Sequence, residues 1–196
     1  MMDMNFFATV SRMKYIERWA LMRNTIPENL SEHSLEVSMI AHALCTIGNV
    51  RYGRKLDANK AAVIGMYHDA SEIITGDMPT PIKYHDNALK QAYKQIEVEA
   101  NKRLLMNLPE DLRAEYEHIL FKDENEQYEW KLIKAADKLS ALIKCIEEEK
   151  TGNKEFVKAK ETTEKNIVSM MEELPEVRDF FDEFLPAYYK TLDELN

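Results

Sequence analysis

Apolar residues recur along this chain at helical spacing nearly from end to end, and no stretch alternates with the period of two that a half-buried strand requires. Phe6, Val10, Met13 and Ile16 mark a first helix ending near Arg18-Trp19, followed by a loop from Ala20 to Leu30 that contains Pro27. Asn29 with Glu32, or Ser31 alone, caps a second helix whose apolar face reads Leu35, Met39, Ala43, Ile47. Asp57 suits the N-cap of a third, in which Ala61 to Met66 is apolar on every side, the pattern of a helix buried all round. That helix runs to Gly76, a residue free to take the left-handed backbone of a helix end. The segment Asp77-Met78-Pro79-Thr80-Pro81 is excluded from any helix interior, because each proline lacks a donor and restrains the residue before it. Further helices are predicted from about His85 to Met106, Pro109 to Leu120 and Asn125 to Lys150, the last closed by Gly152-Asn153. Its core stripe runs Leu132, Ala136, Leu139, Ile143, Ile146, and shorter helices broken at Pro175 and Pro186 complete the chain. No linker, repeat or low-complexity tract divides it. The expectation is a single all-α bundle over residues 1–196.

Composition narrows this picture. With 45% hydrophobic and 31% charged residues, the chain has the makings of a packed core and is neither disordered nor a membrane protein. Five glycines and six prolines are too few for the turns of an all-β protein of 196 residues. A formal net charge of −9 argues against a nucleic-acid polymer as partner, since such binding rests on a basic surface. A small anion is still allowed where a few cations or a metal are concentrated. Cys45 and Cys145 both fall in apolar helical patterns, as reduced, buried thiols of a cytoplasmic protein do. No apolar run reaches ~18 residues, and Met1 to Phe7 lacks the pattern of a signal peptide.

The anomaly is polar. After the apolar run of the third helix come His68-Asp69, Glu72 and Thr75-Gly76-Asp77, and buried charge is costly unless paired. Taken singly, each has a plain explanation. His68-Asp69 is an internal hydrogen bond, His33 in the first turn of the second helix is surface decoration, and Asp137 is solvated beside Lys134 and Lys138. Taken together, His33, His68, Asp69 and Asp137 offer two imidazoles and two carboxylates from three helices. That mixed donor set suits one divalent transition ion (Mn, Co, Fe, Ni or Zn) better than calcium. Such an ion supplies local positive charge for a phosphate, polarises a phosphoryl oxygen and acidifies bound water.

The arrangement His33…His68-Asp69…Asp137 resembles the HD-domain metal-dependent phosphohydrolase superfamily, an all-α fold. Arg18-Trp19, Asn29 to Leu35, His68-Asp69-Ala70-Ser71-Glu72 and Thr75 through Pro81 resemble more closely the YfbR group of bacterial 5′-deoxynucleotidases. The resemblance implies hydrolysis of deoxyribonucleoside 5′-monophosphates to deoxyribonucleoside and phosphate by metal-activated water. On that basis His33, His68, Asp69 and Asp137 are the metal ligands, and Arg18 orients the phosphate with a guanidinium fork. Trp19 walls the sugar, and Asp77, Met78, Pro79 and Thr80 add substrate contacts beside His33, Asp69 and Asp137. Glu72, one turn after His68 on the same helix, and Asp77 are the carboxylates for proton transfer, with the division of labour open. The metal site falls within about residues 28–150, with C-terminal helices at about 154–194 packing on it, and relatives of this kind imply a homodimer. From about Thr151 no motif carries a site.

Other residues receive plainer expectations. His42, His85 and His118 are structural or exposed, Glu147-Glu148-Glu149-Lys150 is a solvated helix end, and the eleven methionines fill core gaps. The competing functions are another HD phosphohydrolase, acting on nucleoside triphosphates or cyclic nucleotides, and a non-catalytic helical adaptor with a structural metal.

Overall fold

The computed structural model describes residues 4–83 and 86–195, with the side chains of Thr80, Pro81 and Glu124 outside that description, so the expectation for His85 is not addressed. Among the described residues it is helical, with one isolated antiparallel bridge between Glu17 and Asn29. Helix α1 (Phe6–Val10) passes into a 3₁₀ turn, Ser11–Tyr15, and the backbone turns extended at Ile16. The first helix thus stops short of Arg18-Trp19. The cause is long-range pairing: the Arg18 N–H donates to the Glu28 carbonyl at 2.9 Å and the Leu30 N–H to that of Ile16 at 3.0 Å.

Helix α2 (Leu30–Tyr52) begins with the expected capping box, the Asn29 side chain accepting from Ser31 and Glu32 while the Glu32 side chain accepts from the Asn29 N–H. Gly53, at φ 63°, ends it. Its inward face is Leu30, His33, Val37, Ile40, Ala41, Leu44, Cys45 and Ile47, so of the expected stripe Ile47 and Ala43 meet the core, whereas Leu35 is 55% and Met39 58% exposed. Apolar residues lie on both flanks of this helix, so periodicity locates the helix but packing against its neighbours selects the buried side. Helix α3 (Ala58–Tyr67) is capped by Asp57, which accepts from the Lys60 N–H. It is not buried all round: Ala61, Ile64 and Gly65 are buried, while Met66 is 44% exposed. Nor does it continue to Gly76. It ends at Tyr67, and hydrogen bonds from Ala70 to Tyr67 and from Glu72 to Asp69 tighten the chain into i→i+3 turns before a short helix α4 (Glu72–Thr75). Gly76, at φ 73°, does close that element.

Helix α5 (Thr80–Lys83) tolerates Pro81 because a first-turn N–H has no intrahelical acceptor. Helices α6 (Asn87–Met106), α7 (Glu110–Leu120) and α8 (Gln127–Lys150) follow, then α9 (Val157–Met170) and α10 (Pro175–Glu183) with Pro175 in its first turn. The predicted α8 stripe from Leu132 to Ile146 is wholly buried. It meets Val37 and Leu44 of α2, Ile64 of α3, Ile167 of α9 and Phe180 of α10 in one core. A second cluster, Phe6, Ala70, Leu104, Leu108 and Leu120, braces the turn after α3.

The end of α8 departs from expectation. Glu148 is fully buried rather than solvated. It pairs with buried Lys144 and accepts from the N–H groups of Thr25 and Ile26 and from Asn153, while Lys144 also donates to the Ile26 carbonyl. Burial alone would raise its pKa, but Lys144, Asn153 and the two N–H groups outweigh that and hold it down at about 2. The methionine expectation also fails: Met13 and Met171 are buried, but Met4, Met39, Met66 and Met106 are exposed. Cys45 and Cys145 are free and buried, each thiol pushed up to about 12 by burial. His42 and His118 are exposed.

Candidate metal centre and substrate pocket

His33 stands three residues into α2 because the Asn29 cap fixes where that helix begins, and its imidazole is completely buried. His68 is the residue at which α3 leaves regular geometry, so the tight turn that follows delivers Asp69 to the same point. Asp137 arrives from α8, at the edge of the core stripe. One ligand atom from each of His33, His68 and Asp69 lies within 4.8 Å of the other two. His68 Nε2 is 3.1 Å from Asp69 Oδ2, and His33 Nε2 is 3.6 Å from that oxygen and 3.3 Å from Asp137 Oδ1. Asp137 thus joins through His33, outside the tightest set of three.

Whether these donors fit a metal is decided by where the ring protons sit. His68 Nδ1 lies 2.8 Å from the Gly65 carbonyl, which can only accept, so Nδ1 carries the proton and a neutral ring leaves Nε2 with its lone pair. Ser140 donates its hydroxyl proton to Glu36 Oε2 at 2.6 Å, so His33 Nδ1, 3.0 Å from that hydroxyl, is the donor there. Both Nε2 atoms are buried and have no hydrogen-bond partner among the described residues. Two such nitrogens beside two carboxylates make a hole for positive charge, with each imidazole oriented by an outer partner as in metal sites. The residues fit a divalent ion.

The pKa directions agree for His33, Asp69 and Asp137, and run the other way for His68. Burial lowers His33, and Arg18 lowers it further, which favours the neutral ligand form. For His68 burial also lowers, but Asp69 outweighs it and the net direction is upward. Burial would raise Asp69 and Asp137, yet His68 in the first case and Lys138 in the second hold them below the usual carboxylate range. Glu72 is different: burial, then the charges of Asp69 and Asp77, push it up to about 10. It is therefore protonated at neutral pH, and its Oε2 has no partner among the described residues. Asp77 is also raised, by burial first, with Arg18 and a backbone hydrogen bond from Trp19 opposing.

Beside this cluster opens a cavity of about 670 Å³, of the size that takes a small organic ligand. Arg18, Trp19, Asp77, Met78, Pro79 and Asp137 line it, whereas His33, His68, Asp69 and Glu72 are not part of that lining. Glu72 and His68 do not share one helix, since the turn at 68–71 separates them. Of the two carboxylates considered for proton transfer, both are shifted upward, and Asp77 is the one that lines the cavity. Thr80 opens α5.

Sequence reasoning missed Glu28, Glu36, Ser140 and the far wall of the cavity. Glu28 Oε2 accepts from Arg18 Nε and from Trp19 Nε1, both at 3.0 Å, and so holds the pair of residues the motif singled out. Burial would lower the Arg18 pKa, but Glu28, then Asp69, raise it. Glu36 and Ser140 carried a readable signal, each standing three residues after a predicted ligand and so on the same helix face. Burial pushes the Glu36 carboxyl up to about 7. The far wall comes from the C-terminal third, where Lys158, Thr162 and Asn166 of α9 face the cavity. Nothing short of the fold reveals them.

Comparison with known proteins identifies the family and the fold. The family model for 5′-deoxynucleotidase YfbR-like proteins matches residues 5–188. Proteins named 5′-deoxynucleotidase from Yersinia pestis (strain Pestoides F) and Yersinia pseudotuberculosis serotype O:3 (strain YPIII) are each 44% identical over 192 residues, covering 98% of this chain and 96% of theirs. An HD-domain phosphohydrolase from Listeria innocua superposes with a TM-score of 0.82 at 24% identity, over 94% of this chain and 88% of that one. A cyanophage S-2L HD phosphohydrolase, described as bound to dA and one catalytic Zn2+ ion, superposes at 0.60 with 22% identity, over 94% and 96%. Both structures share this fold.

Proposed function

Because this chain belongs to the YfbR-like 5′-deoxynucleotidase family, we propose that it hydrolyses deoxyribonucleoside 5′-monophosphates at the cluster of His33, His68, Asp69 and Asp137. It is a metal-dependent phosphomonoester hydrolase that releases a deoxyribonucleoside and phosphate. The observation that carries the site assignment is the pair of buried, unpartnered Nε2 atoms facing Asp69 at the edge of a lined cavity.

His33, His68, Asp69 and Asp137 would hold one divalent ion. When bound, it supplies Lewis-acid polarisation of a phosphoryl oxygen and makes water acidic enough to attack near neutral pH. Zinc is the first metal to load, since the cyanophage protein is described with it, and the nitrogen and oxygen donors also suit Mn, Co, Fe and Ni. Arg18 binds the phosphate through the guanidinium nitrogens left after Nε is given to Glu28. Trp19, fixed by Glu28 and packed on Phe156 with ring centroids 5.3 Å apart, forms the wall against C2′ of the sugar. Met78 and Pro79 continue that wall. Water attacks phosphorus in line, and the 5′-oxygen leaves with a proton. Asp77, which lines the cavity, delivers that proton, and protonated Glu72 is the reserve.

The active unit is a homodimer in this reading, supported by the exposed apolar positions Leu35, Met39 and Val50 along one flank of α2. Residues 1–196 form one HD domain, supported by the cavity lined from both ends of the chain, Arg18 and Asn166. No described helix is long and apolar enough to cross a membrane, and two free buried thiols support a cytoplasmic site of action.

The test is phosphate release from a panel of deoxyribo- and ribonucleoside 5′-monophosphates, using chelator-stripped protein with and without added Zn, Co or Mn. Release should require metal and favour dAMP over AMP in kcat/KM. Turnover by stripped protein would overturn the metal assignment, and a dAMP to AMP ratio near one would make the enzyme a general nucleotidase.

A further inference from the structure

Each carboxylate that faces His33 is itself faced by one cation. Arg18 Nη1 stands 3.6 Å from Asp69 Oδ2, and Lys138 Nζ stands 2.9 Å from Asp137 Oδ2. Asp137 presents its other oxygen, Oδ1, to His33 Nε2 at 3.3 Å. Lys138 therefore takes the oxygen that the metal cluster leaves over. Both cations line the same cavity. We propose that Lys138 is a second phosphate-binding residue, holding the 5′-phosphate of the substrate from the Asp137 side while Arg18 holds it from the Asp69 side. The proposal rests on the reading of this cavity as a nucleoside monophosphate site.

Charge makes a second cation necessary. A phosphomonoester dianion enters a cavity lined by Asp77 and Asp137, with Asp69 facing Arg18 beside it, in a chain of net charge −9. One divalent ion cannot offset two carboxylates and a dianion together, and Arg18 is shared with Glu28. Of the remaining lysines on the cavity wall, Lys138 and Lys158, Lys138 is the one already bonded to a metal-ligand candidate. An ammonium has three donors on a four-carbon stem, so it can keep Asp137 and reach a phosphoryl oxygen at once. Exposure divides the work between the two cations. The Arg18 side chain is 10% exposed and clamped, which suits a fixed fork, whereas that of Lys138 is 31% exposed and able to follow the ligand. A role limited to pinning Asp137 makes a different prediction: loss of Lys138 would then weaken the metal and leave phosphate affinity per metal-loaded site unchanged.

Those roles separate in metal-loaded wild type, Lys138→Gln and Lys138→Arg, with Lys134→Gln, an exposed charge on the preceding turn of α8, as the control for net charge. Inorganic phosphate binding is read by calorimetry, metal affinity by competition with a chromophoric chelator, and KM and kcat with dAMP. Lys138→Gln should weaken phosphate about tenfold to a hundredfold, the scale of a hydrogen bond to a charged group, and raise KM in step. Metal affinity should stay within about twofold, Lys138→Arg should recover most of the loss, and Lys134→Gln should bind phosphate as wild type does. Phosphate affinity unchanged in Lys138→Gln, or lost only as far as metal is lost, overturns the proposal. Because phosphate binding is read without turnover, a wild-type protein that hydrolyses no deoxynucleotide would refute the substrate reading while leaving Lys138 to be judged on binding.

Discussion

Trp19 holds its backbone at φ 58°, a left-handed conformation that costs a non-glycine residue about 1–2 kcal/mol. The surroundings impose it. The Arg18 N–H is bonded to Glu28, the Trp19 carbonyl accepts from the Met22 N–H at 2.8 Å, and the indole N–H is held by Glu28 Oε2. The strain turns the ring into the cavity beside Arg18. Replacing it separates backbone from side chain. Trp19→Gly accepts the left-handed backbone and Trp19→Ala does not, so the glycine variant should be the more stable of the two by about 1 kcal/mol in denaturant unfolding. Both should lower the dAMP to AMP ratio of kcat/KM, because an indole against C2′ rejects a hydroxyl that would be left buried and unpaired, at roughly 1–3 kcal/mol. A high wild-type ratio that survives both substitutions would make Trp19 a packing residue.

Between elements, the decisive contact is the crossing of α2 and α3. A Cβ on Gly65 would meet Ser38 Cα at 2.9 Å and Ser38 N at 3.1 Å, both backbone atoms that no rotamer change can move. The absence of a side chain there lets the two helices approach closely enough for His33 and His68, on different helices, to bring their rings to 5.3 Å between centroids. The Gly65 carbonyl also fixes the His68 tautomer. Gly65→Ala should cost about 1–3 kcal/mol of stability by overpacking and also weaken metal binding about tenfold or more, since the ligands move apart. Thermal unfolding and a metal titration check this; lost stability with unchanged metal affinity would show that the ligands do not depend on the crossing.

Over the whole molecule, Glu148 ties residues 25 and 26, near one end of the chain, to α8 and to Asn153, which opens the C-terminal helices. The segment so held carries Arg18, Trp19 and Glu28 on its flanks. A carboxyl held down at about 2 in the folded state and titrating near 4.3 when unfolded stabilises the fold above that unfolded value, and the contribution fades as pH falls toward 2. Wild type should therefore exceed Glu148→Gln in melting temperature at pH 7, with the gap closing across that acid window. A gap that persisted at pH 2 would assign the tie to shape rather than charge.

Much of this was legible before folding. The capping box at Asn29, the Asp57 cap, the α8 stripe and the breaks at Gly76, Pro175 and Pro186 are local chemistry, where short-range hydrogen bonds and side-chain spacing decide the backbone. The motif residues Arg18, Trp19, His33, His68, Asp69, Asp77 and Asp137 were legible too, because their types and order carry the family resemblance. What local patterning could not decide was direction. Leu35 and Met39 face outward and Val37 and Leu44 inward because α3 and α8 pack on one flank of α2, a choice made by partners distant in sequence. Glu148 is buried because it satisfies two N–H groups some 120 residues away, and Glu28 belongs to the site because the chain doubles back from Ile16 to Leu30. The α9 wall has no motif, since a cavity wall needs only to be there when the fold closes. The sequence by itself determined the helices and the chemistry of the donors; the tertiary structure decided which faces are buried and which charges meet, because burial and long-range pairing are properties of the packed molecule and not of any segment.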